Sequence, residues 1–214
     1  MKITNVTVTL WEWKDIPPTR YNKEIASDES GRTEMALVTI STDEGVDGYG
    51  FLGSALYSGK KNAAFVVEDL KPILMGEDPL ARERLWRAMV QRARGSNLLA
   101  VGTVDVALWD LAGRAAGLPV HRLIGSYRDS IPAYASSSVL DTPEDYAEQA
   151  VRYKEMGWHA YKMHPHCEPD MDIKICETVR RAVGDDFRLM LDAVWSYDYV
   201  EALRVGQAIQ ALGF

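Results

Sequence analysis

Residues 3–11, "ITNVTVTLW", alternate apolar and polar side chains, the period of a strand with one buried face. "MALVTIST" (35–42) and "VDGYGFLG" (46–53) flank the turn "DEG" (43–45), so a hairpin is predicted beside the first strand. Between strand and hairpin, 14–34 is a long polar stretch holding Arg20 and Tyr21, and loops of that length usually have a function of their own. The spacing then turns helical. One helix is predicted from 60 to Gly76. A second opens with Asp78 as N-cap and Pro79 at its first position. A third spans 97–117, and its small and apolar residues predict deep burial.

From residue 131 the pattern becomes strand, helix, strand, helix. "IPAYAS", "HAYKMH" and "FRLMLDA" begin at 131, 159 and 187, a constant interval of 28 residues, and a helical segment follows each. Repeated βα units predict a parallel sheet. Polar groups gather where these strands end: Ser136–Ser138, then Lys162 and His164, then Asp192. In a βα barrel that rim carries the chemistry. A barrel needs eight units and three are legible. The expected fold is therefore an α+β capping domain (1–125) followed by the first three βα units (126–214) of an incomplete TIM-type βα barrel, in a chain that is a fragment or is completed by another.

The net charge of −7 without a basic block argues against nucleic acid as a partner. No apolar run nears the ~20 residues of a membrane helix, and the N-terminus lacks a signal-peptide core. Two cysteines, Cys167 and Cys176, make no disulfide framework. A cytoplasmic protein is expected.

Lys162 and His164 fall on one face of their strand, because side chains alternate. A lysine can offset a substrate carboxylate, and a histidine titrates near neutral pH, so the pair suits removal of a proton beside a carboxylate. The plainer alternative is a strand-end lysine and a histidine that caps a loop. Asp192, one unit later, offers the oxygen that Mg²⁺ prefers; it could instead cap the next helix, although Ser196 is better placed for that. His164 and His166, with Cys167 beside them, raise a zinc hydrolase reading, but no second cluster supplies further ligands. Gly45, Gly48 and Gly50 read as turn and close-packing residues. Trp11 and Trp13 share a strand face and read as core.

The segment "AVGTVDVALWDLAGRAAGLPVHRLIG" (100–125) resembles a signature of the mandelate racemase/muconate lactonizing enzyme branch of the enolase superfamily, as does the order capping domain, "AYKMH", "LMLDA". The resemblance implies Mg²⁺ at the barrel rim and removal of a proton α to a carboxylate to give an enediolate. The implied activity is dehydration of an acid sugar, with racemisation or epimerisation as related chemistries. Lys162 matches the family's carboxylate-contacting lysine. His164 stands where a second lysine is usual, and Asp192 matches the first Mg²⁺ ligand. Where the family often has Asn two residues beyond that ligand, this chain has Val194, then Trp195. Arg20 and Tyr21, and "LGSALYSG" (52–59), match loops that close over substrate, and Ser136 a position near it. The further Mg²⁺ ligands and the later acid–base groups of the family have no counterpart here. The implied partners are a small-molecule carboxylate and, for a complete enzyme, other copies of itself. A catalytically incomplete fragment or a binding module of the same fold is the competing expectation.

Overall fold

A computed structural model describes residues 1–22 and 25–214. The chain divides into two compact units, one made of Met1–Pro17 and Asp28–Asp129, the other of Pro18–Ser27 and Ser130–Phe214. The early polar stretch thus contributes a strap, Pro18–Ser27, to the later unit.

In the first unit, β1 (Ile3–Trp13), β2 (Thr33–Thr42) and β3 (Asp47–Leu52) form an antiparallel sheet in sequence order. The alternation predicted for these strands holds in β2 and β3 and is interrupted in β1 by a register shift between Ile3 and Asn5. Ile3 and Val6, then Ala36, Val38 and Ile40, turn inward. Helical segments build the core on that face: α1 (Lys60–Phe65), a π-helical turn (Val66–Leu70), α2 (Lys71–Leu74), α3 (Arg82–Ala93) and α4 (Leu98–Ala116), with the short α5 (Val120–Leu123) following α4. Gly48 and Gly50 let α4 lie directly on β3. A Cβ on either would collide with the backbone carbonyl of Ala107 or Thr103. Gly45, with φ +75°, makes the hairpin turn.

Three expectations fail here. Trp11 and Trp13 are 39% and 42% exposed, on the face of β1 opposite the one that meets the core, and Trp11 meets Phe51 edge-on. Asp78 does not cap α3. Its carboxylate accepts from the amide of Leu80 in a separate turn, and the helix begins after Ala81. The helix predicted across 97–117 is α4, buried along one stripe, while Leu99 and Val106 stay exposed.

In the second unit, β4 (Ala135–Ser136), β5 (Ala160–Met163) and β6 (Arg188–Leu191) form a parallel, unclosed sheet in the order β4-β5-β6. Helices α6 (Pro143–Glu155), α7 (Pro169–Val183) and α8 (Tyr199–Gln210) follow the strands. The βα reading therefore stands, with β4 shorter than predicted. Thr142 and Asp145 close a capping box on α6, and Asp198 and Glu201 do so on α8. The cap of α8 is thus Asp198 and not Ser196. Tyr161, Met163 and Leu189 pack with Ile175, Cys176 and Val179 of α7 in an apolar layer. Arg180 is buried but satisfied: its guanidinium donates to the carbonyls of Gly184, Phe187, Leu212 and Gly213.

Candidate active site

The parallel register decides which side chains share a face. Ser136 pairs with Lys162, and Lys162 with Met190. Paired residues in a parallel sheet project the same way, so Ser136, Lys162 and Met190 stand on the face opposite the helices. His164 and Asp192 extend that alternation just past the strand ends. Tyr161 and Met163, one step out of phase, are wholly buried on the helix side.

Lys162 and Asp192 meet directly, Nζ to Oδ2 at 3.0 Å. The Nε2 atom of His164 lies 3.5 Å from the same oxygen. Asp192 Oδ1 accepts from the amide of Val194 at 3.1 Å. The three residues expected to act together do converge. Burial works against the charge on Lys162, but its hydrogen bond to Asp192 and the attraction of that carboxylate's charge, with a smaller contribution from Tyr134, together outweigh it and raise the lysine pKa above its ordinary value. Burial likewise pushes the Asp192 carboxyl upward, and the hydrogen bonds from Lys162 and the Val194 amide, with the nearby positive charge, together reverse this and hold it below its ordinary value. His164 is lowered, mainly by burial, with the nearby Lys162 charge adding to the effect. The neutral imidazole is the favoured form, the one able to accept a proton.

The strap meets this rim. Tyr21 lays its ring against His164, with centroids 4.4 Å apart. Arg20 accepts a hydrogen bond at its carbonyl from Val139 N at 2.7 Å, while its side chain is exposed. Asn22, absent from the sequence-based candidates, donates through Nδ2 to the carbonyl of Val194 at 3.1 Å. Val194 and Trp195 have φ of +46° and +61°, a region costly for a β-branched residue. Contacts to Asp192 and Asn22 hold that backbone, and Trp195 is left 92% exposed. A cavity of about 560 Å³ is lined by Tyr134, Lys162, Met190 and the 191–197 segment. Tyr134 also faces Lys162, its ring 5.5 Å from Nζ.

Below the rim, Asp172 of α7 is fully buried. It accepts from the Tyr197 hydroxyl through Oδ2, and burial raises its pKa. Tyr197 is also a wall of the cavity, so this contact ties α7 to the segment that carries Asp192. Nothing in the spacing of the sequence marked the pair.

The zinc arrangement does not assemble. His164 turns to Ser137 and Asp192, whereas His166 Nε2 sits 2.7 Å from the carbonyl of Leu140 and must be the protonated nitrogen there. A ring nitrogen donating to a carbonyl has no lone pair for a metal. Cys167 contacts the carbonyl of Ala193, and Cys176 is buried with its thiol pushed up to about 12 by desolvation. Among the described residues no group of three or more His, Cys, Asp or Glu is placed to hold an ion. For magnesium, Asp192 has the right donor chemistry, a rim carboxylate still open to solvent, and it could supply one ligand.

Comparison with known proteins bears on the family and the fold. Residues 5–125 match the model described as mandelate racemase/muconate lactonizing enzyme, N-terminal domain, and residues 145–214 match that of the enolase C-terminal domain-like family. The chain is 34% identical over its whole length to D-galactarolactone cycloisomerase of Agrobacterium fabrum, covering 57% of that protein. It is 33% identical to L-talarate/galactarate dehydratase of Salmonella typhimurium, across 83% of this chain and 47% of that one. Its fold superposes with a TM-score of 0.82, at 35% identity, on D-glucarate dehydratase from Agrobacterium tumefaciens complexed with magnesium, covering all of this chain and 59% of that one. The chain spans about half the length of the curated relatives it matches. No helix among the described residues is long and apolar enough to cross a membrane.

Proposed function

The chain belongs to the mandelate racemase/muconate lactonizing enzyme family of the enolase superfamily, and on that premise we propose that it takes part in removing a proton from the carbon next to a sugar-acid carboxylate. The observation that carries this reading is the convergence of Lys162, His164 and Asp192 within 3.5 Å of one carboxylate oxygen. In the proposed roles, Lys162 binds the substrate carboxylate, and its positive charge favours the electron density that builds there as the proton leaves. His164 is the base: its neutral ring accepts the proton at Nε2, and the imidazolium so formed lies beside Asp192. Asp192 also provides a magnesium ligand, and the ion, when bound, would add positive charge near the substrate carboxylate. Ser136 shares the face and is exposed toward the substrate side. Tyr21 and Arg20 bring the strap over it and keep water from the base.

Dehydration of an acid sugar is the preferred outcome, because several similar proteins are named as dehydratases of such acids; others are cycloisomerases and a dipeptide epimerase. A second reading has its own observation. One carboxylate is a thin ligand set, and these residues by themselves would then bind sugar acid without turning it over.

The test is exchange of the α-proton for solvent deuterium. The protein is incubated with Mg²⁺ and a panel of aldonic and aldaric acids in D₂O, and the acids are read by NMR. Deuterium should enter at the α-carbon of at least one acid and stop in His164→Asn. Equal exchange in that variant would remove His164 from the role of base. Binding without exchange would favour the second reading.

A further inference from the structure

We infer that Ser137 and Tyr146 are positioning residues that fix which nitrogen of His164 carries the proton, leaving Nε2 free on the active-site side. The inference rests on His164 being the base, and it adds how that base is prepared.

Every polar group of His164 except Nε2 is engaged by one of these two residues. The His164 amide donates to Ser137 Oγ at 3.1 Å, and the His164 carbonyl accepts from the Tyr146 hydroxyl at 2.7 Å. Ring Nδ1 lies 2.5 Å from the carbonyl oxygen of Ser137. The clamp is itself braced: Ser137 N donates to the carbonyl of Lys162 at 2.9 Å, and Tyr146 Oη accepts from the amide of Leu140 at 2.9 Å. Ser137, His164 and Tyr146 are 3%, 6% and 0% exposed, so water does not compete for these bonds.

The tautomer follows from two distances. A carbonyl oxygen only accepts, so Nδ1 at 2.5 Å must be the donor, N–H. The opposite tautomer would set two acceptors at that distance in exchange for a long contact of 3.5 Å from Nε2 to Asp192. At 3.5 Å a hydrogen bond is marginal, and at 2.5 Å acceptor–acceptor repulsion is severe. The short contact decides. The neutral histidine side chain in water prefers the Nε2–H form, so the fold reverses the usual preference and leaves the Nε2 lone pair on the side of Asp192. The Tyr21 ring on the face of His164 limits rotation that would undo this.

The experiment is ¹⁵N NMR of the histidine rings in this chain, with the rings neutral and no substrate or metal present. His164 is assigned by its loss in His164→Gln. The expected signature is a pyrrole-type shift at Nδ1 and a pyridine-type shift at Nε2. In Tyr146→Phe and Ser137→Ala the signature should move toward a tautomer mixture, and Ser137→Thr, which keeps the hydroxyl, should restore it. A wild-type His164 carrying its proton on Nε2 would overturn the inference, even if a variant fails to fold. So would an unchanged signature in a folded Ser137→Ala, Tyr146→Phe double variant. The readout needs no turnover, so an inactive protein with the Nδ1–H form would count against the proposed reaction and not against the clamp.

Discussion

His164 concentrates the account at the scale of single residues. Lysine is usual at this position in the family that the chain resembles, and the exchange is intelligible here because a short, buried imidazole can be clamped where a lysine would need solvent. Its pKa is lowered, first by burial, which gives a definite sign to the pH dependence of stability. The unfolded chain binds the proton more readily than the fold does. This contribution is therefore fully present above the ordinary histidine value of ~6.5 and is lost as pH falls through that value toward the lower folded one. Wild type should lose more stability than His164→Gln when the pH is taken from about 8 to about 5, read from urea midpoints at each pH. An equal loss in both proteins would mean that the ring is not held neutral. The Lys162–Asp192 pair acts outside this window: Asp192 is lowered and matters only in acid, Lys162 is raised and matters only in alkali.

Elements place these residues, and much of that placement was legible. Alternation put Lys162 and His164 on one face, and the repeated strand spacing put Asp192 at the same height one unit later; the register bears out both. Gly48 and Gly50 were legible as close-packing residues. Gly48→Ala should destabilise the first unit by about 1–3 kcal/mol, the usual cost of overpacking, seen as a lower denaturant midpoint. A neutral substitution would mean that α4 can move off β3. What escaped the sequence is physically consistent. Ser137 was legible only as one of three serines at the rim; its contacts to His164, like those of Tyr146, Asn22 and the Asp172–Tyr197 pair, cross from one element to another, and no periodicity within an element encodes those. Trp11 and Trp13 misled because alternation identifies a shared face but not whether anything covers it. Asp78 and Ser196 misled because several residues near a helix start can accept from backbone amides, and local geometry chooses among them.

For the whole molecule, the sequence pattern gave the order of units and the resemblance gave the chemistry, and both lead to the C-terminal rim of the parallel sheet. The strap Pro18–Ser27 was readable as a long polar stretch, and by the resemblance as a loop that closes over substrate, but not by its contacts. That Tyr21 rests on His164 and Asn22 on Val194 depends on a contact across more than a hundred residues of sequence, and the structure supplies it. The family assignment covers both units, while the chain spans about half of its curated relatives, so the weight of the functional claim falls on the site geometry.

On the proposed reading, Asp192 is the place where magnesium would meet this chain. Titrating the ¹⁵N-labelled protein with Mg²⁺ and following backbone amides together with the Lys162 side chain tests this most directly. The account predicts perturbations centred on Val194 N, which donates to Asp192, and on Lys162 Nζ, both abolished in Asp192→Asn. Perturbations confined to the acidic surface around Asp141, Asp145 and Glu148, or unchanged in Asp192→Asn, would contradict it.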